Sequence, residues 1–184
     1  AMVPHGWIKQ IFDAGAYDYF DIFSIHPYDF DGGFNVERWR NNLVLLREMM
    51  TEYGDMKPLW LTELGWSVSG AKAGVTEPEA ASYGVQSYAM IQSENLADLM
   101  IWYDLHNDGL TDGNEHNFGA IRYTEGGDSP WSAKLPYIAF CTMNKFIGNA
   151  EPIDNIVYDD NNSALYRFRR KSDGKQFVLA YSDK

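Results

Sequence analysis

The sequence predicts an α/β protein, and three observations support that class. Amphipathic helical segments alternate with short apolar strands between residues 6 and 147. The strands are rich in β-branched and aromatic residues and lead into loops that contain glycine or proline. The chain has 184 residues, of which 45% are hydrophobic and 22% charged, enough for one domain-sized core. Such alternation implies a parallel sheet with helices packed outside it.

The first half of the chain supplies two helices and one strand. A stripe of apolar residues at helical spacing predicts a helix over 6–16, and an aromatic and β-branched run predicts a strand over 20–26. After a loop, Asn35 is the expected N-cap of a second helix that runs to about Tyr53. Gly54 is expected to end that helix.

The second half continues the alternation. Residues 57–64 form an apolar run that predicts a strand, and Thr76 can cap a helix that extends to about Glu94. A strand over 99–105 and a helix over 132–147 follow. Three strands are too few to close a barrel, which needs about eight, so the pattern is typical of part of a larger (β/α) protein.

The character of the sequence changes after Pro152. Residues 164–170 and 176–181 alternate in the manner of strands, and they are separated by a turn over 171–175 that contains a glycine. An antiparallel hairpin is predicted there.

Charge and composition exclude several classes of partner. The formal net charge of −11 argues against nucleic acid or an anionic membrane surface. No apolar stretch reaches membrane-spanning length, and the N-terminus lacks the basic start and apolar run of a signal peptide. Cys141 is the only cysteine, so neither an intrachain disulfide nor a cysteine-based metal site is possible, and a buried structural thiol is expected.

Glu63 is the most informative residue of the sequence. It stands where the apolar run of residues 57–64 ends, and catalytic side chains of parallel β/α proteins collect at the C-terminal ends of strands. Strict alternation would place Leu59, Leu61 and Glu63 on one face and Trp60 and Thr62 on the other. The plainer alternative is an ordinary carboxylate that opens a loop.

His26 and Tyr28 follow the first predicted strand. Side chains of these types can hold a nearby carboxylate in one orientation and tune its basicity through hydrogen bonds. The alternative is a histidine buried against a helix and a surface tyrosine.

The third predicted strand ends in a similar polar and aromatic cluster. Trp102 can stack on the apolar face of a sugar ring, while Asp104 and Asn107 can bond hydroxyl groups. Trp102 as a plain core residue is the alternative. A metal-dependent hydrolase would need His26, Asp104 and His106 together.

These strand ends together resemble the last part of the clan A glycoside hydrolases, which are retaining enzymes on (β/α)8 barrels. The resemblance runs from about Gly6 to Ala150. It is strongest to family 39 and next strongest to family 5. Its specific points are the segments Asp21–Tyr28, Trp60–Trp66 and Ile101–Asp104.

The resemblance implies a fold and a set of roles. Residues 1–150 would be strands six to eight of a TIM barrel, and residues 151–184 a hairpin that begins a β-sandwich-like accessory domain. Glu63 would be the nucleophile, supported by His26 and Tyr28, with Trp102 and Trp66 as walls of the sugar site. A β-linked glycoside or polysaccharide would be the substrate, no cofactor is implied, and a secreted or periplasmic location is favoured.

One departure from the family pattern shapes the prediction. Retaining hydrolysis needs two carboxyl groups about 5 Å apart, and in the clan the acid/base follows an asparagine on strand four. The only such pair here, Asn114-Glu115, lies in a loop after the third strand. The chain is therefore predicted to carry the nucleophile half and to be inactive alone. A non-catalytic carbohydrate-binding or scaffold protein is the alternative.

A partner is predicted for the same reason. A partial barrel exposes strand edges, and the inner apolar face, expected to comprise Leu59, Leu61 and Ile22, would meet water. Either a missing N-terminal barrel half or self-association is expected to cover it.

Overall fold

The computed structural model describes residues 3–29, 34–125, 127, 129–156 and 163–182, and has an α/β fold with one parallel and one antiparallel sheet. The helices are α1 (His5–Asp13), α2 (Val36–Thr51), α3 (Glu77–Glu94) and α4 (Leu135–Ile147). The strands are β1 (Phe23–Ile25), β2 (Leu59–Leu64), β3 (Leu99–Trp102), β4 (Ala150–Ile156), β5 (Ala164–Arg170) and β6 (Gln176–Tyr181). Short 3₁₀ helices cover Ala16–Tyr19 and Asn114–His116.

The parallel sheet has the strand order β1-β2-β3, as the alternation of helices and strands predicts. Phe23 pairs with Leu59, and Leu61 pairs with Met100. Leu59 and Leu61 are fully buried in the core that the sheet shares with the helices. β1 and β3 are shorter than the predicted strands 20–26 and 99–105, and the remaining residues of those segments lie outside the strands.

Two predicted helix caps are confirmed. The Asn35 side chain accepts a hydrogen bond of 2.7 Å from the backbone N–H of Arg38 at the start of α2. Thr76 and Glu79 form a reciprocal capping box at the start of α3, with the Thr76 backbone N–H donating to the Glu79 carboxylate at 2.7 Å. These caps fix where the loops that follow β1 and β2 end.

The antiparallel sheet has the order β4-β5-β6, so the predicted hairpin is confirmed as β5 and β6. The sequence analysis missed β4, which pairs with β5 through a register shift. The sheet is attached to α3, where the Gln92 side chain donates to the carbonyl oxygens of Ile147 and Ala150 at 3.0 and 2.9 Å. Tyr166 and Phe168 are buried in the same core as the parallel sheet, and the predicted division at residue 150 stays a prediction.

The outer face of α4 is partly apolar. Ile138 and Phe146 are 53% and 42% exposed on this helix. Cys141 is also exposed, so the expectation of a buried thiol is wrong. Across the described ranges, no helix has the length and apolar character needed to cross a membrane.

Candidate active site

Glu63 lies near the C-terminal end of β2, on the face of the sheet opposite to Leu59 and Leu61. Those two leucines are fully buried, whereas the Glu63 side chain is 37% exposed. The pairing with β3 shifts register between Leu61 and Leu64, which breaks the strict alternation. The prediction that Glu63 shares a face with the two leucines is therefore wrong, as is the prediction that these leucines meet water.

The three residues predicted at the centre of the site are brought together. The Tyr28 hydroxyl donates a hydrogen bond of 3.2 Å to Oε2 of Glu63. Nδ1 of His26 lies 3.4 Å from the same oxygen. Burial and, next, the negative charge of Glu63 raise the pKa of Tyr28, so the phenol stays protonated and donates. Whether these residues act in catalysis stays a prediction.

A row of hydroxyl groups continues from His26 along the exposed face of the sheet. Nε2 of His26 lies 3.0 Å from Oγ1 of Thr62. Oγ1 of Thr62 lies 2.6 Å from Oγ of Ser24 on β1. The imidazole is therefore hydrogen-bonded at Nε2 to the Thr62 hydroxyl, while Nδ1 faces the Glu63 carboxylate.

Of the two tryptophans predicted to form sugar-binding walls, Trp66 lies in the core and Trp102 packs against it. Trp66 is 7% exposed and contacts the rings of Phe34, Tyr83 and Trp102 at centroid distances of 5.0 to 5.8 Å. Trp102 is half-buried against α3, where a Cβ placed on Gly84 would lie 2.8 Å from its ring. This packing favours the core interpretation of Trp102, and the role of both tryptophans as walls of a sugar site stays a prediction.

Tyr103 is the aromatic residue near Glu63 that sequence reasoning missed. It is half-buried, and its ring packs edge-on against Phe118, which also packs edge-on against Tyr28. Burial and the charges of nearby carboxylates raise its pKa, and Glu63 and Glu115 are among those carboxylates. The signal was present in the sequence, since Tyr103 directly follows the last residue of β3, but the family resemblance pointed to Trp102.

The approach of Tyr103 to β2 depends on a glycine. A Cβ placed on Gly65 would lie 1.8 Å from the carbonyl oxygen of Tyr103, so any larger residue would push the two segments apart. The peptide bond between Tyr103 and Asp104 is cis.

Asp104 follows Tyr103 and is half-buried. Burial and, next, the charge of Asp108 raise the pKa of its carboxyl group to about 6. Its Oδ1 atom is buried and has no hydrogen-bond partner among the described residues. An oxygen of this kind is suited to a ligand hydroxyl, and the predicted substrate-binding role of Asp104 stays a prediction.

Asn107 has a structural role in the loop that follows β3, and its predicted contact with sugar hydroxyls stays a prediction. It is 7% exposed, and its amide group is occupied at both ends. Nδ2 donates to Oδ1 of Asn117 at 3.0 Å, and Oδ1 accepts from Nζ of Lys134 at 2.6 Å. Lys134 also donates to the carbonyl oxygen of Asn117 at 3.0 Å, and it therefore fastens the loop that follows β3. Burial lowers the pKa of Lys134 to about 8.

The metal-dependent alternative receives no support from the part of the chain that the structure describes. No group of three or more potential ligands gathers among those residues. His26 contacts Thr62 and Glu63, whereas Nδ1 of His106 contacts the carbonyl oxygen of Asn107 at 2.7 Å. The two histidines thus contact different groups and do not form a common site.

Glu63 thus lies at the end of a parallel strand, in contact with Tyr28 and His26. Solved structures that share this fold include glycoside hydrolases. A family 5, subfamily 18 enzyme from Bifidobacterium longum subsp. infantis superposes with a TM-score of 0.50 at 17% identity, covering 68% of this chain and 30% of its own. A second subfamily 18 structure, from Bifidobacterium longum subsp. longum, was solved with Manβ1-4GlcNAc and gives a TM-score of 0.51 at 18% identity, with the same coverage. At these identities the likeness concerns the fold alone.

A more similar structure is a family 39 glycoside hydrolase from the gut symbiont Bacteroides cellulosilyticus WH2. It has a TM-score of 0.71 and 27% identity, and the match covers 95% of this chain and 36% of that chain. This chain thus spans about a third of the length of that neighbour. No family model and no curated protein matches the sequence. The match to the family 39 structure confirms the predicted relationship to clan A glycoside hydrolases, and the family 5 structures share the fold.

Proposed function

We propose that this chain carries the nucleophile side of a retaining glycoside hydrolase site, with Glu63 as the nucleophile. The observation that carries the proposal is the placement of Glu63 at the end of a parallel strand, where Tyr28 and His26 both contact it. The relationship to the family 39 structure supports the same reaction class. A β-linked glycoside or polysaccharide is the proposed substrate.

The contacts of Glu63 assign a role to each of its carboxylate oxygens. Tyr28 and His26 both approach Oε2, at 3.2 and 3.4 Å, and this leaves Oε1 to attack the anomeric carbon. Attack forms a glycosyl ester on Glu63 while the bond from the anomeric carbon to the leaving oxygen breaks, and water then opens the ester. The hydrogen bond from Tyr28 fixes the carboxylate before attack.

Tyr103 and Asp104 are proposed to contact the sugar bound at Glu63. The Tyr103 ring offers an aromatic surface near the carboxylate, and the unpartnered Oδ1 of Asp104 offers an acceptor for a hydroxyl group. Replacing either residue is expected to weaken sugar binding more than it weakens the fold.

The complete site is proposed to need further protein, either an N-terminal barrel half or a second copy of the chain. In the described sheet, β1 and β3 are the outer strands, and each pairs with β2 alone. Beside β1 lies a groove of about 490 Å³ whose lining includes Trp7, which is 60% exposed. A neighbouring strand and helix from either source would cover this groove, and the N-terminal half would also bring the acid/base carboxyl that the mechanism requires.

A second candidate function is non-catalytic carbohydrate binding. It is favoured by the chemistry of the groups that contact Glu63, since Tyr28 and His26 do not supply the second carboxyl of a retaining site. In that case the cleft would bind a sugar reversibly, with no covalent step.

A covalent trapping experiment separates the two functions. Dinitrophenyl 2-deoxy-2-fluoro-β-glycosides have a leaving group that departs without an acid, so the nucleophile side of a site is enough to react with them. The 184-residue chain is incubated with a panel of these compounds, and the modified peptide is identified by mass spectrometry. Glu63→Gln is the control, because it keeps the shape of the side chain and removes the nucleophile.

The expected result is one fluoroglycosyl group on the peptide that contains Glu63, and none on the Glu63→Gln variant. Reversible binding of the same sugars without any covalent mass would support the carbohydrate-binding candidate. Labelling of a different carboxylate would refute the assignment of Glu63.

A further inference from the structure

Thr62 stands between two polar side chains on the exposed face of the parallel sheet. Its Oγ1 atom lies 2.6 Å from Oγ of Ser24 and 3.0 Å from Nε2 of His26. The second ring nitrogen of His26, Nδ1, lies 3.4 Å from Oε2 of Glu63. A continuous row thus leads from Ser24 on β1 through Thr62 and His26 to the proposed nucleophile.

Counting protons along this row selects one tautomer of neutral His26. A threonine hydroxyl has one proton to donate, and neutral imidazole has one N–H and one lone pair. If Nε2 carried the ring proton, Nδ1 would present its lone pair to the carboxylate of Glu63, and the two would repel. If Thr62 donates to Nε2, the ring proton lies on Nδ1 and faces Glu63. Ser24 can then donate to Thr62, so every group in the row has a complementary partner.

We infer that Thr62, assisted by Ser24, is a positioning residue that fixes His26 in the tautomer protonated at Nδ1. The tautomer of a histidine is set by the hydrogen bond that its other nitrogen makes, and here that bond comes from Thr62. The significance for catalysis rests on the proposed function, whereas the tautomer is a property of the chain itself. The contact between Nδ1 and Oε2 at 3.4 Å is longer than a hydrogen bond, and contacts of this kind often tighten when substrate binds.

The chain contains internal references for both tautomers. Nε2 of His5 lies 2.9 Å from the carbonyl oxygen of Asn42, so its proton is on Nε2. Nδ1 of His106 lies 2.7 Å from the carbonyl oxygen of Asn107, so its proton is on Nδ1. A carbonyl oxygen can only accept, which makes both assignments unambiguous in the neutral ring.

The test is a two-bond ¹H–¹⁵N correlation spectrum of the full chain labelled with ¹⁵N-histidine. The buffer is mildly alkaline, where ordinary imidazole is neutral. A His26→Gln variant assigns the His26 signals. In the wild type, His26 is expected to show the pattern of His106 and not that of His5.

Three variants then probe the row. Thr62→Val keeps the shape but removes the hydroxyl, and the ratio of the Nδ1–H to the Nε2–H form of His26 should fall about tenfold, the effect of one hydrogen bond. Thr62→Ser keeps the donor and should keep the ratio. Ser24→Ala should lower the ratio less than Thr62→Val does, because Thr62 can still donate.

The inference is overturned if wild-type His26 shows the His5 pattern or carries protons on both nitrogens. It is also overturned if Thr62→Val leaves the ratio unchanged. Unaltered His5 and His106 signals show that a variant has kept its fold, and the Thr62→Ser and Ser24→Ala results decide the matter if Thr62→Val does not fold. The expected spectra together with an absence of trapping at Glu63 would refute the proposed function and leave the tautomer assignment standing.

Discussion

The burial of Lys134 makes the free energy of unfolding depend on pH. The residue is 3% exposed, and burial lowers the pKa of its ammonium group from 10.5 to about 8. The unfolded chain therefore binds more protons than the folded chain between these two values, and the free energy of unfolding rises with pH across that window. Well below pH 8 both states are protonated, and the dependence vanishes.

The magnitude follows from the two pKa values. Integrating the difference in bound protons shows that the free energy of unfolding rises by about 1 kcal/mol between pH 7 and pH 9, and the rise continues towards pH 10.5 as the cost of burying the charge is removed. Deprotonation retains two N–H groups on Nζ, so the hydrogen bonds to Asn107 and Asn117 can persist.

Urea unfolding of the wild type and of Lys134→Met at several pH values measures this contribution. Other groups titrate in both proteins, and their effects on the free energy of unfolding cancel when the variant is subtracted from the wild type. The wild type should gain about 1 kcal/mol relative to the variant between pH 7 and pH 9. Lys72→Met, at an exposed lysine, controls for the loss of one positive charge. A difference between wild type and Lys134→Met that stays constant with pH, or that moves in the opposite direction, would refute the reasoning.

Further predictions concern the site and the elements that hold it. Tyr28→Phe removes the hydrogen bond to Glu63. In steady-state kinetics, kcat of the complete enzyme should fall about tenfold or more with little change in KM. A change confined to KM would contradict this role of Tyr28. Gly65→Ala places a methyl group 1.8 Å from the carbonyl oxygen of Tyr103. In urea unfolding it should lower the free energy of unfolding by about 1–3 kcal/mol. Gly6→Ala is the control, because the space around Gly6 is open and the substitution should not destabilise the chain. Thr76→Ala removes a capping box and should cost about 1 kcal/mol in the same assay, and an unchanged midpoint would show that the cap contributes nothing.

The sequence was a good guide where a local chemical signal decides the structure. The caps at Asn35 and Thr76 depend on a side chain and a backbone group a few residues apart, and both were predicted. The hairpin of β5 and β6 also has a local signal, because its strands alternate around a turn that contains Gly174. β4 carries no such alternation and includes Pro152, so it is recognised only once β5 lies beside it.

The site was predicted in part, and the face that Glu63 occupies was predicted wrongly because of the strand register. The positions of Glu63, His26 and Tyr28 at strand ends follow from the order of the elements, and the structure brings them together. Which face each side chain occupies depends on register, and a register shift in β2 reverses the result of strict alternation. At the end of β3, the family resemblance pointed to Trp102, and the structure shows that Tyr103 also lies near Glu63.

The exposed thiol of Cys141 affects how any measurement of assembly must be performed. As the only cysteine of the chain, and one that lies on the surface of α4, it can join two copies through an intermolecular disulfide during storage. A covalent dimer of this kind would have the mass of a self-associated pair without covering the groove beside β1. Native mass spectrometry with reductant present, or on Cys141→Ser, removes this covalent dimer, so that any remaining dimer is non-covalent. The same thiol, labelled with a single probe, would report the approach of a partner to that side of the molecule.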